Sequence, residues 1–218
     1  MFGDDFFPTP PTLTKRMLKG LEFKCRDAIL EPSAGKGDLI KAIKDHTKEH
    51  YYRDYLEDID AVEIDPNLRK VLKGQQIRVV HSDFLTFATL KRYDYIIMNP
   101  PFSSGAEHLT KALEFLKPGG TCVCILNAET LRNPYTNVRK ALVQKLEDWK
   151  ASIEYVPNAF KTAERKTGAE VAMIKVACPE IPDRVSIKLE NLIRDELTED
   201  ERQADHDCRN ALVDTDYM

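Results

Sequence analysis

Tyr93-Asp94-Tyr95-Ile96-Ile97-Met98-Asn99-Pro100-Pro101-Phe102 is the stretch from which the fold can be read. Its first six residues are mainly apolar or aromatic, the composition of a strand. They do not alternate strictly with polar residues, so the strand is covered on both faces, as in a parallel sheet. Pro100 and Pro101 lack the N–H groups that would continue a ladder, and they end it. Residues 103–116 then carry Leu109, Ala112, Leu113 and Leu116 at helical spacing. Strand, stiff loop and helix make one unit of an alternating fold.

The same unit recurs on either side. Strands are predicted at Asp27–Leu30, Asp60–Ile64, Gln76–Val80, Thr121–Leu126, Ala151–Val156 and Glu170–Val176. Helices are predicted from Thr12, which can cap, to about Leu21, and after Asp38 on Leu39, Ile40 and Ile43. Others are predicted from Asp65-Pro66-Asn67 to Leu72, over 134–148 and over 186–197, with Trp149 packed near a helix end. Residues 47–59 read as a helix end and loop, and Pro118-Gly119-Gly120 as a turn. The fold class is α/β: a seven-stranded, mostly parallel sheet with the last strand antiparallel and helices on both faces.

Composition narrows the function. The chain has 218 residues, 42% hydrophobic and 31% charged. That excludes a coiled coil, a collagen and a wholly disordered chain. No apolar run approaches the roughly 18 residues of a membrane span. The five cysteines are an odd count for a disulfide scaffold, and none has metal-knuckle spacing, so a cytoplasmic protein is expected. Residues 180–218 carry 5 Lys/Arg against 12 Asp/Glu, which leaves 27 against 24 in the rest. The body is mildly basic and the tail acidic, which permits a polyanionic partner. Domains are expected at 1–178 and 179–218, the second an acidic appendage whose abrupt end reads as the start of a truncated region.

In parallel sheets, ligands sit at the carboxyl ends of the strands. Four polar motifs fall there. Glu31-Pro32-Ser33-Ala34-Gly35-Lys36-Gly37 is a tight turn whose glycines let a ligand approach the backbone. Glu63 suits two ribose hydroxyls, with Asp65 a rival that can instead cap the next helix. Asp83 can accept from an exocyclic amine while Phe84 stacks on the same base. Asn99-Pro100-Pro101-Phe102 is the sharpest signal. Its Asn99 amide and Pro100 carbonyl offer two acceptors to one –NH2 group, and Phe102 offers a ring to the flat system that carries it.

Taken in this order, the motifs resemble the class I S-adenosylmethionine-dependent methyltransferases, and within them the enzymes that act on adenine N6. The resemblance covers residues 6–176. It implies the Rossmann-like methyltransferase fold, S-adenosylmethionine as cofactor and no metal. Phe7-Pro8-Thr9-Pro10-Pro11 is similar to the family's segment near the methionine part of the cofactor, which brings in Thr9 and Pro10. Glu31, Ser33, Ala34, Gly35 and Gly37 would follow from the Gly-rich motif, Glu63 and Ile64 from the ribose motif, and Asp83 and Phe84 from the adenine motif. Asn99, Pro100, Pro101 and Phe102 would be catalytic, with Asn99 also at the cofactor. The stretch 127–135 and Ala163-Glu164-Arg165-Lys166 look similar to phage-type and prophage-type adenine methyltransferases.

The implied reaction is direct methyl transfer to adenine N6, with DNA favoured over RNA as the nucleic acid partner. No Pro-Cys pair of the cytosine-C5 enzymes occurs, and the Gly-rich motif departs from that of the glutamine-modifying enzymes, which typically opens Asp-x-Gly. RNA adenine, protein glutamine and a non-catalytic subunit of a larger complex are the alternatives. Phe102 would stack on one side of a flipped base and Phe160 on the other, with Tyr155 in reserve. Residues 132–175 hold 9 Lys/Arg against 5 Asp/Glu, and Arg132, Lys161, Arg165 and Lys166 are the expected substrate contacts. Only 42 residues follow Val176, and their balance is acidic, so a recognition subunit or a missing C-terminal region is expected to supply specificity. His46 and His50 share a helix face without a third ligand, and His108 sits behind the Pro-Pro loop with a helix-surface role expected and contact with substrate as the alternative.

Overall fold

The structure, a computed structural model, describes residues 8–51, 58–160 and 170–180. The chain divides into a unit of residues 1–179 and a second of residues 180–218. Of the second only Glu180 is described, so the helix expected over 186–197 lies outside the described residues.

The strands are β1 (Ile29–Glu31), β2 (Ile59–Val62), β3 (Arg78–His81), β4 (Tyr93–Met98), β5 (Leu116–Asn127), β6 (Ser152–Val156) and β7 (Val171–Ala177). The helices are α1 (Pro11–Leu18), α2 (Asp38–Tyr51), α3 (Pro66–Gly74), α4 (Gly105–Glu114), α5 (Glu129–Arg132) and α6 (Asn137–Asp148). The sheet order is β3-β2-β1-β4-β5-β7-β6, and only β7 runs antiparallel to its neighbours. This is the Rossmann-like arrangement expected from the sequence. The order reverses between β1 and β4, which opens a crevice at their carboxyl ends.

Two apolar layers cover the sheet. Leu30, Ile96 and Met98 point to one face with Leu109, Leu113 and Leu142. Ile29, Ile97, Val123 and Ile125 point to the other with Leu13, Met17, Ile40 and Ile43. Alternate residues of β4 therefore serve opposite layers, and both layers are dry. That is why the run is continuously apolar rather than alternating.

Several boundaries differ from the sequence reading, each for a local reason. α1 starts at Pro11 with Pro10 as its cap, not at Thr12, because a proline suits the first helical position. α2 continues to Tyr51 through part of the expected loop. β5 begins at Leu116 and runs through the expected Pro118-Gly119-Gly120 turn. There the Gly119 and Cys178 N–H groups donate to the Cys178 and Gly120 carbonyls, at 3.0 and 2.8 Å, which holds the irregular stretch to the sheet. Thr136 caps α6 by accepting from Arg139 N, so that helix starts after Pro134.

One polar cluster caps the end of the sheet opposite the crevice, with Asp60 and Tyr93 buried and Lys91 and Arg78 reaching solvent. The Asp60 carboxylate accepts from Tyr93 Oη at 2.9 Å, from Lys91 Nζ at 2.7 Å and from Arg78 Nε at 2.5 Å. Tyr93 is 1% exposed. A buried carboxylate left short of a donor bears the full desolvation penalty. Tyr93→Phe should therefore lower unfolding stability by roughly 1.5–3 kcal/mol, the range for a hydrogen bond to a charged group. Urea denaturation checks this, and an unchanged midpoint would count against the cluster as a stabilising unit.

Candidate functional site

The ends of β1, β2 and β4 and the turn after β3 meet around one cavity of about 360 Å³. The chain segment before α1 also reaches it, through Pro8 and Thr9. The site is built from turns, and each turn has a visible cause.

After Glu31 the chain must reverse into α2 within a few residues. Gly35 and Gly37 adopt φ of 56° and 87°, a region costly for residues with a Cβ. A Cβ on Gly37 would also lie 2.9 Å from Ile77 Cδ1 and 3.0 Å from Leu72 Cδ2. Ala34 N donates to the Val62 carbonyl at 3.0 Å, which ties this turn to β2. The Glu63 carboxylate completes the tie. Its Oε2 accepts from Gly35 N at 2.7 Å and its Oε1 from Asp65 N at 2.8 Å. Asp65 itself caps α3, accepting from Asn67 N at 2.7 Å and Leu68 N at 3.2 Å. Of the two rival carboxylates, Asp65 is thus engaged with a helix start while Glu63 is held between the two turns.

Glu31 is 2% exposed, and its Oε2 has no hydrogen-bond partner. Burial raises its carboxyl well above the usual range, and the nearby Asp38 and Glu63 raise it further. Burial also raises Glu63, offset by the backbone donors Asp65 N and Gly35 N. At Glu31 a backbone hydrogen bond from Ile40 offsets the rise in part, and a buried acid with one oxygen unpartnered suits a cation or a donor-rich group.

Asp83 and Phe84 follow β3. Asp83 Oδ1 accepts from Leu85 N at 2.9 Å, which closes a turn, and the residue lines the cavity. Phe84 packs on Phe115 and on the His108 ring, so its own ring is a fixed wall. Ile64 also lines the cavity and is 70% exposed.

At the end of β4, Asn99 Nδ2 donates to Thr9 Oγ1 at 3.0 Å. Pro101 (φ −53°, ψ 131°) leads into a single 3₁₀ turn over Phe102–Ser104, and α4 follows. Phe102 is half-buried and meets Phe160 edge-on, with centroids 5.7 Å apart at 80°.

The expected residues Thr9, Glu31, Ser33, Ala34, Gly35, Glu63, Ile64, Asp83, Phe84, Asn99, Pro100, Pro101 and Phe102 all line this cavity. Pro10 and Gly37 do not; the first caps α1 and the second shapes the turn. Phe160 does not line it either. It is 0% exposed and belongs to the apolar layer beneath Phe102, so it supports that ring from the side instead of facing it across an opening. Arg132 is held in an ion pair with Glu170 and stacks over Tyr155 at 4.3 Å, which commits it away from the cavity. Lys161, Arg165 and Lys166 lie outside the described residues. The sequence reading missed Asp38 and Leu85, and it placed His108 on the helix surface, whereas His108 is buried and lines the cavity. Among the described residues, no group of three His, Cys, Asp or Glu side chains is placed to hold a metal ion. No described helix is long and apolar enough to cross a membrane.

The sequence profile of the methyltransferase small domain family matches residues 12–156. No curated protein matches the sequence. Among solved structures, the fold is similar to that of a protein assigned as the modification subunit of a type I restriction enzyme from Vibrio vulnificus. The TM-score is 0.66 at 16% identity, covering 82% of this chain and 46% of that one. It is similar to a protein assigned as a class I S-adenosylmethionine-dependent methyltransferase from Listeria monocytogenes, with a TM-score of 0.59 at 14% identity and coverages of 80% and 61%. It is also similar to the 23S rRNA methyltransferase ErmE, with a TM-score of 0.56 at 20% identity and coverages of 80% and 71%. The chain spans less than two thirds of the length of the first two, and at these identities the likeness is one of fold.

The electrostatics of Glu31 make a prediction that needs no ligand. Its folded-state pKa is raised, so the folded protein holds a proton that the unfolded chain releases in the ordinary carboxyl range. Stability is therefore greatest below that range and falls as pH rises through the raised folded value, by about 1.4 kcal/mol per pH unit for one proton. Glu31→Gln should lose this dependence, so its midpoint should overtake that of the wild type increasingly as pH rises. Parallel curves for the two proteins between pH 5 and pH 9 would contradict the assignment.

Proposed function

The chain belongs to the methyltransferase small domain family, and from that premise we propose that it transfers the methyl group of S-adenosylmethionine to adenine N6 in DNA. One observation carries the reading. The Asn99-Pro100-Pro101-Phe102 loop lines the same cavity as Glu31, Glu63 and Phe84. An amine-binding loop thus adjoins a site with the groups that a nucleoside-bearing cation requires.

The residues fit that cofactor. The buried, unpartnered Oε2 of Glu31 would take its ammonium group, Glu63 its ribose hydroxyls, and Asp83 with Phe84 its adenine. Glu63 accepts from Gly35 N and Asp65 N, and a carboxylate's further lone pairs would take the hydroxyls. When bound, S-adenosylmethionine supplies an electrophilic methyl group on a sulfonium.

The chain's own contribution is positioning and electrostatics. An adenine amine is a weak nucleophile because its lone pair is delocalised into the ring. Asn99 and the Pro100 carbonyl accept its hydrogens, favour a pyramidal nitrogen and disperse the positive charge that develops. Asn99 Nδ2 donates to Thr9 Oγ1, and in this orientation the amide oxygen lies on the other side from Thr9. Phe102 stacks on the base, and Phe160 stiffens Phe102 from its edge. The proton leaves after transfer, so no strong base is required. Cys122 and Cys124 are fully buried with thiols raised by burial, and neither is placed to act as a nucleophile. A base in a duplex must flip out to reach this loop. With Arg132 committed to Glu170, the phosphate contacts are assigned to Lys161, Arg165 and Lys166. Further sequence specificity is assigned to a recognition subunit or to additional chain.

Asn99→Ala should lower the methyl-transfer rate by a factor of about 10² or more, the loss typical of one preorganised polar group. Its affinity for S-adenosylmethionine in calorimetry should stay within a few-fold of wild type. Near-normal turnover in this variant would overturn the assignment. Glu63→Ala should instead weaken cofactor binding first, and an unchanged Kd would move the ribose contact to another residue.

A further inference from the structure

His108 is the buried titratable group that the mechanism above leaves without a task. It lies on α4, six residues beyond Phe102, and is 7% exposed while still lining the cavity. Its Nδ1 lies 2.8 Å from the Ser104 carbonyl oxygen. A carbonyl can only accept, so Nδ1 carries the hydrogen and the other ring nitrogen, Nε2, is left as an acceptor. This is the side chain's one hydrogen bond among the described residues. Burial lowers its pKa, so the ring is neutral near physiological pH and the acceptor is present there.

The surroundings define what that acceptor can meet. The His108 ring is tilted 33° to Phe84 with centroids 5.7 Å apart, and both rings border the same end of the cavity as Asp83. The Asp83 carboxylate keeps one oxygen beyond its turn bond to Leu85 N. The two acceptor-bearing residues, Asp83 and His108, thus line one cavity with the apolar Phe84, Pro101 and the exposed Ile64. A flat ring bearing a two-hydrogen amine answers that arrangement. A ring bearing a carbonyl at the same position does not, because oxygen would face acceptors on both sides. A purely structural histidine looks different in this fold. His46, at the foot of α2, sits against the Leu21 carbonyl and meets Phe23 edge-on, away from the cavity.

We propose that His108 is a cofactor-binding residue, whose Nε2 accepts a hydrogen bond from the exocyclic amine of the cofactor's adenine beside Asp83. This deepens the reading of the cavity as an S-adenosylmethionine site and rests on it. The consequence is selectivity. Two buried acceptors reject a base that lacks the amine more strongly than one acceptor does, because the analogue leaves both of them unpaired.

The test compares two soluble ligands of the full chain by calorimetry: S-adenosylhomocysteine and S-inosylhomocysteine, in which a carbonyl replaces the amine. The wild type should prefer the adenosyl compound by about a hundredfold, with two hydrogen bonds each contributing about tenfold. His108→Phe keeps a ring against Phe84 and should reduce that preference about tenfold, through weaker binding of the adenosyl compound. His108→Gln, which retains an acceptor, should recover most of it. In the wild-type protein with nitrogen-labelled histidine, the Nε2 resonance of His108 should move on adding S-adenosylhomocysteine and stay in place with the inosyl compound. That measurement needs no variant to fold. An unchanged preference in His108→Phe, or an unmoved Nε2 resonance with the adenosyl ligand bound, would overturn the His108 assignment alone. Failure of the wild type to bind either compound would overturn the cofactor site itself and His108 with it.

Discussion

The Glu63 carboxylate accepts from Gly35 N and Asp65 N at 2.7 and 2.8 Å, and through those two bonds it fixes the turn after β1 against the turn after β2. The site depends on this. Parallel strands bring their carboxyl ends to one edge but leave the turns above them unconstrained. Here one side chain joins two of those turns, and Ala34 N bonded to the Val62 carbonyl reinforces the join. The same carboxylate that shapes the cavity faces into it, so its remaining lone pairs are preorganised before any ligand arrives.

Charge is placed in this cavity against the interest of stability. Glu31 is buried beside Asp38 and Glu63 with one oxygen unpartnered, an arrangement that favours its protonated form in the folded chain. A protein selected for stability alone would place an apolar side chain there. The proposed cationic cofactor would satisfy the acid. The contrast with Asp60 is instructive. That carboxylate is as deeply buried, but three donors surround it and it stabilises the far end of the sheet.

Much of this was legible from residues alone. The apolar run of β4 ended by two prolines gave both a buried strand and the loop at its end, because proline's missing N–H acts locally. The strand and helix alternation followed from the same kind of local signal. Glu63 could be separated from Asp65 only by geometry, since both carboxylates precede or border a helix start in sequence. His108 was less legible still. One histidine on an apolar helix looks like surface or core, and nothing local reveals that Phe84, 24 residues upstream, folds over to meet it. Phe160 was misjudged for a related reason. Its position in the loop between the last two strands suggests a ring stacked on the second face of a base, but the layer of Ile97, Val123 and Val171 draws it inward under Phe102. The Gly119-Gly120 stretch looked like a turn because its sheet partner, Cys178, lies far along the chain.

In the proposed function the cavity and the Asn99–Phe102 loop together methylate an adenine amine. The most direct measurement is incubation of the full chain with S-adenosylmethionine labelled in its methyl group and, separately, with unmethylated DNA and with RNA, followed by digestion to nucleosides. The account predicts label in N6-methyldeoxyadenosine from the DNA sample. Label in N6-methyladenosine from RNA alone would correct the polymer and keep the chemistry. A protein that binds the cofactor yet leaves no labelled N6-methyl nucleoside in either polymer would contradict the account.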